Sequence, residues 1–192
     1  MTTTTQRLTL DEYLAYDGSD RRYELVNGEL LPLSLGTGRH GAIIKRLEKI
    51  FDAEAERVQN AWTALAGTVG LQSPRSDRWD TVRIPDVSVL TLEQWEVLQE
   101  REAVIRLNEP PPLLVVEVVS ESTKSTDYRA KRAEYSVLDI PEYWIVDPLV
   151  GKVTICMLVE GWYEATEYQD QTVVQSSIFP ELALAAETIL QG

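Results

Sequence analysis

Between Pro112 and Pro148 the chain runs through an apolar strand, a polar loop, a helix, a proline stop and a second apolar strand. A strand–helix–strand unit of this length predicts a parallel strand pair joined by a right-handed crossover. Leu113 to Val119 is almost continuously apolar and rich in β-branched residues, as expected of a strand buried on both faces. One charge interrupts it, Glu117. A carboxylate inside a buried strand is costly unless it is paired or binds a cation. Glu117 therefore either meets an Arg or Lys, or serves as a metal ligand at a strand end, where α/β sheets often place their chemistry.

The segment that follows bears on both readings. Ser120 to Ser125 is polar and turn-prone. A helical pattern starts near Thr126, a candidate N-cap. Asp127, Lys131 and Tyr135 recur at i, i+4 and i+8 and share one stripe, while Ala130, Ala133, Val137 and Leu138 offer apolar packing. The same spacing also suits a solvated, salt-bridged face. Asp139-Ile140-Pro141 ends the helix, because the residue before proline avoids the α region. Glu142 to Val146 returns as a strand and Asp147-Pro148 ends it.

At 192 residues the chain suits one domain, residues 1–192, with its first few residues frayed. The sequence contains no apolar run long enough to span a bilayer, and its first residues lack the apolar stretch of a secretory signal. A single cysteine, Cys156, rules out an internal disulfide or a cysteine zinc cluster, and a single histidine rules out a multi-histidine metal site. Cys156 reads as a small apolar residue in a strand. These features point to a cytoplasmic protein. The net charge of −13 argues against broad, sequence-independent nucleic-acid binding. Local basic groups remain: Arg39, Lys45, Arg46 and Lys49 on one candidate helix, and Lys124, Arg129, Lys131 and Arg132 around the central unit.

In chain order, Thr9 to Glu12 fits a capping box that opens a short helix through about Tyr16. Arg22 to Leu33 reads as a β-hairpin around Asn27-Gly28, with Glu24 and Glu29 on its solvent face. Gly36-Thr37-Gly38 is a break, after which a helix runs from Arg39 to about Arg57, with His40 in its first turn as a surface or capping residue. Strands are expected over about 62–71, bent at Gly67 and Gly70, and over 83–90. Asp86 follows Pro85 there and reads as a turn or capping residue if it has no chemical role. A short helix over Thr91 to Gln99, a stiff connector from Asn108 to Pro112, and a hairpin of Lys152 to Leu158 with Trp162 to Tyr168 complete the pattern. Val173 to Ile178 is expected to add an edge strand.

The order of acidic and basic residues carries more than any one of them. Asp86 and Glu117 fall on successive strand regions and Lys131 on the next helix. Two convergent carboxylates can bind a hard divalent cation such as Mg²⁺, which polarises a phosphoryl oxygen and lowers the pKa of bound water. A lysine adds positive charge and orients the attacking water. This is the minimal equipment for phosphodiester hydrolysis.

Pro85-Asp86 followed by Glu117-Val118-Val119, on an α–β–β–β–α–β order, resembles the PD-(D/E)XK nuclease superfamily. Within it the chain resembles the Uma-type putative restriction endonucleases. The resemblance is carried by Tyr23-Glu24-Leu25-Val26-Asn27-Gly28-Glu29, Pro85-Asp86, Val116 to Ser120, Asp127 with Lys131 and Tyr135, and Glu142 to Asp147. It covers about residues 8–185.

The resemblance implies an α/β (α+β) fold, with a restriction-endonuclease-like mixed central sheet flanked by helices. N- and C-terminal hairpins are added to a nuclease core of about residues 39–147. It implies a Mg²⁺-dependent DNA endonuclease, with Mn²⁺ as a substitute, in which Asp86, Glu117 and the Val118 carbonyl hold the metal. The superfamily pattern wants lysine at position 119, where this chain has Val119, so by resemblance Lys131 takes its place. Glu24 and His40 become active-site candidates by the same resemblance, Glu24 as a further acidic ligand and His40 at phosphate or in proton transfer. DNA is the implied substrate. A homodimer is expected, because two-fold enzymes present two equivalent sites to a duplex. Competing readings are a binding or regulatory protein that keeps the fold without efficient catalysis, and a hydrolase of another phosphate ester.

Overall fold

The computed structural model describes residues 7–17, 22–73 and 80–191; the expected fraying of the first residues lies outside them. Among the described residues two mixed sheets are packed with helices. The first sheet has the order β2-β1-β5-β4-β7, formed by Glu29–Pro32, Tyr23–Val26, Thr81–Arg83, Gly70–Ser73 and Val104–Ile105. The second has the order β11-β10-β9-β8-β6-β3, formed by Trp162–Tyr168, Lys152–Val159, Glu142–Asp147, Leu114–Val118, Val87–Thr91 and Trp62–Ala66. β8 and β9 are the parallel pair that the Pro112–Pro148 unit predicts.

Local chemistry sets the element ends. Thr9 and Glu12 form the expected capping box on α1 (Leu10–Leu14). Asn27 and Gly28 both take positive φ, 53° and 78°, the geometry of a tight two-residue hairpin turn between β1 and β2. Thr37 caps α2 (Gly38–Arg57), and Thr91 with Gln94 forms a capping box on α3 (Leu92–Gln99).

β8 is buried on both faces, as its composition requires. Leu114, Val116 and Val118 face α2, where they pack with Ile43, Leu47, Phe51, Val87, Val89 and Trp144. Val115 belongs to the opposite cluster, with Tyr135, Ile140, Tyr143 and Ile145. Glu117 shares the parity of Val115 and so projects toward Tyr135 and its helix. Cys156 is buried in β10, as read.

Five expectations change. The strand expected over 62–71 is two strands, β3 and β4, in different sheets; the chain turns at Gly67, whose φ is +51°. The strand over 83–90 likewise divides into β5 and β6, with Pro85 and Asp86 at the crossing, because a proline cannot continue a ladder. The central helix begins as a π-helical segment, Thr126–Lys131, and becomes α-helical only in α4 (Arg132–Val137). Thr126 is therefore not a cap, and Ala133 and Val137 lie exposed while Asp127, Lys131, Glu134 and Tyr135 are buried. Glu24 leaves the solvent face of its hairpin and is buried, whereas Glu29 stays exposed. The expected edge strand after Val173 is a single bridge, Val173 to Ala185, and the chain closes with α5 (Ala186–Leu190) against α2.

Candidate active site

Asp86 sits where the chain crosses between the sheets. Its Oδ2 accepts the Val118 amide at 2.7 Å, which ties it to the end of β8. Its main-chain carbonyl accepts the Gly67 amide at 2.9 Å. Asp86 therefore has the turn role read from the sequence, and its carboxylate is also held one residue from Glu117.

Glu117 is 3% exposed. Its two oxygens are divided between partners: Oε1 accepts Tyr135 Oη at 2.6 Å and Oε2 lies 2.7 Å from Lys131 Nζ. The sequence left open whether Glu117 meets an Arg or Lys or serves as a metal ligand, and the structure shows the pairing, with Lys131. Burial pushes its carboxyl well above the usual carboxylate range, and Lys131 pulls it only part of the way back. Asp127 contributes a third carboxylate, 3.2 Å from Lys131 and 1% exposed, and burial raises it too. Burial opposes the charge on Lys131. The carboxylates of Glu117, Glu24 and Asp127 outweigh that and hold its pKa above the ordinary lysine value.

Asp127 and Lys131 lie in the π-helical segment and Tyr135 in α4. A wider turn shifts which residues share a face, and such segments are common where side chains must be re-aimed at a site. Here Lys131 and Tyr135 both meet Glu117 of β8, and Asp127 meets Lys131. Tyr143 from β9 donates to the Asp127 carbonyl at 2.9 Å and packs edge-on against Tyr135. Val119, which stands where the superfamily pattern has lysine, is buried and apolar, and Lys131 reaches Glu117 from the helix instead.

Glu24 lies at the edge of this group. Its Oε1 is 3.9 Å from Lys131 Nζ and accepts the Ile84 amide at 3.1 Å, and its Oε2 accepts Arg83 at 3.0 Å. Arg83 also grips Glu134 through two bonds, at 2.7 and 3.1 Å. His40 reaches the site from the first turn of α2. Its Nε2 is 3.0 Å from the Val118 carbonyl oxygen and 3.4 Å from Asp86 Oδ2, and its hydrogen bond with Asp86 holds its pKa above the ordinary imidazole value. By position it faces Asp86 and the end of β8, and it is not a plain surface or capping residue.

The five side chains singled out in the sequence thus line the end of β8 in two contact groups, Glu24 and Glu117 with Lys131, and His40 with Asp86, the second tied to Val118 through its amide and carbonyl. Asp86 Oδ1 takes no hydrogen bond among the described residues. With Glu117 and that carbonyl it offers the hard oxygen donors that a divalent cation takes, so the donor chemistry fits one. Among the described residues no three His, Cys, Asp or Glu side chains stand together as a ready metal cage. Lys131 occupies one Glu117 oxygen, and His40 stands against Asp86.

Over residues 10–187 the chain matches the Uma2 family, described as putative restriction endonucleases. It belongs to that family. Among solved structures it resembles a putative nuclease of the DUF820 family from Anabaena variabilis. The TM-score is 0.74 and the identity 18%, over 95% of this chain and 97% of that one. No curated protein matches it.

Several groups of this Uma2-family site escaped the sequence reading. Arg83 and Glu134 are the clearest; the available signal was an arginine inside the otherwise apolar run Val82 to Ile84. Tyr135 was placed on the stripe without a role. The expected basic group on α2 is partly consumed by structure. Arg39 donates to the Leu190 carbonyl and Arg46 to the Thr188 carbonyl, so both cap the end of α5. Arg132 similarly binds the Tyr163 carbonyl. Lys45, Lys49, Lys124 and Arg129 remain exposed.

Proposed function

We propose that this Uma2-family protein is a divalent-cation-dependent DNA endonuclease, using Mg²⁺ or Mn²⁺ and acting in the cytoplasm as a homodimer of one-domain chains. The observation that carries this reading is the 2.7 Å approach of Lys131 Nζ to Glu117 Oε2, next to an Asp86 bonded to the Val118 amide. Asp86, Glu117 and the Val118 carbonyl would hold the cation. Once bound, such a cation polarises a phosphoryl oxygen and makes bound water a nucleophile at neutral pH. Lys131 supplies the positive charge that Val119 cannot, and directs Nζ–H bonds at water or phosphate oxygen. Glu24, fixed by Arg83 and Ile84, helps to keep Lys131 protonated and in place. His40 forms the more exposed rim with Asp86. The test is nicking of supercoiled plasmid with Mg²⁺, Mn²⁺ or chelator by wild type, Asp86→Asn and Glu117→Gln. Cleavage that needs the cation and disappears in both variants supports the reading; cleavage in chelator, or by both variants at the wild-type rate, overturns it.

A second reading, a binding or regulatory protein without efficient catalysis, is favoured by one observation: Lys131 is 4% exposed and already engaged by carboxylates. Tight plasmid binding without cleavage in either cation would select it.

A further inference from the structure

A pocket of about 390 Å³ opens beside the crossing that carries Asp86. Alternation along β1 and β5 sends Glu24 and Arg83 toward Lys131 and α4, and puts Tyr23 and Ile84 on the other face of the sheet, where they line this pocket. Its wall is continuous with the candidate site. Thr68 follows Gly67, whose amide is bonded to the Asp86 carbonyl, and Ile84 lies two residues before Asp86. Two residues of chain span at most about 7 Å, a distance that one nucleotide of a strand can bridge.

Three tyrosines, Tyr13, Tyr16 and Tyr23, contribute to the lining. The Tyr13 hydroxyl donates to the Tyr23 carbonyl at 2.8 Å, which fixes its ring. Tyr16 and Tyr23 meet edge to face, with centroids 6.0 Å apart and planes at 85°. Such a contact takes at most one face of the Tyr16 ring, and Tyr16 is 46% exposed. Asp17 and Arg22 add one carboxylate and one cation. Arg22 is held by a bond to the Gly67 carbonyl, which uses one of the five N–H donors on its fork. An aromatic wall with one acceptor group and one donor group suits a flat neutral ring with a polar edge better than it suits a bare phosphate. A nucleobase is such a ring. The base must be out of its stack, because a paired base offers a protein only its edges. The net charge of −13 works against affinity gained from phosphate contacts, which gives stacking the larger share.

We infer that this pocket takes an unpaired nucleobase of the substrate strand, stacked on Tyr16, and that the protein therefore prefers single-stranded or displaced nucleotides to intact duplex. The inference rests on reading the protein as a nuclease, but not on any step of cleavage.

The test uses the full chain in chelator, so that binding is read without cutting. A fluorescent purine analogue is placed in a single-stranded oligonucleotide, in the matching duplex, in a duplex where it is bulged out, and in a free mononucleotide. Wild type should bind the single strand and the bulge about tenfold or more tightly than the duplex, and quench the analogue only in those two. Tyr16→Ala should lose about tenfold of the single-strand affinity and most of the quenching while duplex binding changes little, and Tyr16→Phe should restore both. Circular dichroism checks that each variant is folded. Equal affinity for single strand and duplex, or single-strand binding by Tyr16→Ala at the wild-type level, overturns the inference. Free mononucleotide bound through Tyr16 as tightly as the oligonucleotide also overturns it, because the pocket then serves a free nucleotide. If no form of DNA binds wild type, the inference and the nuclease reading fall together. If single strands bind through Tyr16 but plasmid is never cut with either cation, the inference stands and the nuclease reading falls.

Discussion

In the proposed mechanism the chemistry turns on Lys131, and its surroundings alter what its removal should do. An isolated surface lysine adds little stability, and the sequence alone suggests that Lys131→Met folds like wild type. In the structure Lys131 is buried among Glu117, Asp127 and Glu24. Breaking a buried pair by removing one partner costs about 3–5 kcal/mol, less whatever Glu117 recovers by taking up a proton. Lys131→Met should therefore lower the urea midpoint. Under conditions where it remains folded by circular dichroism, it should cut plasmid at least about a hundredfold more slowly, the size of effect seen when a transition-state charge stabiliser is lost. Cleavage at the wild-type rate would show that another group supplies the charge. Lys124 is exposed, so Lys124→Met should leave the midpoint unchanged and weaken DNA affinity, with a shallower salt dependence of binding.

Among the elements, β5 does more than extend a sheet. It carries Arg83, which joins the hairpin residue Glu24 to Glu134 on α4. Arg83→Met would leave two buried carboxylates without their cation, at a cost of about 3–5 kcal/mol. Urea denaturation should report that loss. An unchanged midpoint would mean that the network contributes nothing net, as some buried ion networks do. A second element-level test concerns β10. Burial pushes the Cys156 thiol up to about 11, so at pH 8 it is both protonated and covered. A thiol reagent should label it only after denaturant opens the sheet; rapid labelling of native protein would show that β10 is not buried as described.

For the molecule as a whole, the proposed endonuclease activity raises the question of how two strands of a duplex would be served. Trp162 on β11 is 78% exposed, and Leu31, Leu33 and Leu35 are exposed on and after β2. β2 and β11 are the edges of their sheets. The hairpins that carry these residues are the candidate dimer interface. Light scattering at micromolar concentration should give twice the chain mass, and Trp162→Glu should shift the equilibrium toward monomer if the C-terminal hairpin forms the contact. A monomer mass for wild type would remove the two-fold arrangement. No helix among the described residues is long and apolar enough to cross a membrane, in keeping with the absence of a long apolar run in the sequence.

What the sequence determined by itself was local. The Asn27-Gly28 turn, the Thr9 and Thr91 caps, the doubly buried β8 and the Asp127–Lys131–Tyr135 stripe all follow from turn chemistry and periodicity, which act over a few residues. The family resemblance then singled out Asp86, Glu117 and Lys131. Only the tertiary structure decided which strands pair. Alternation says which face a side chain takes but not which sheet its strand joins, so the crossings at Gly67 and at Pro85-Asp86 were read as continuous strands. It also decided the partners of buried charges. Arg83 and Glu134 are 51 residues apart, and Arg39 meets a carbonyl 151 residues away. No spacing rule spans such distances. A buried charge finds its counter-ion because leaving it unpaired costs too much, and that cost exists only once the chain has folded around it.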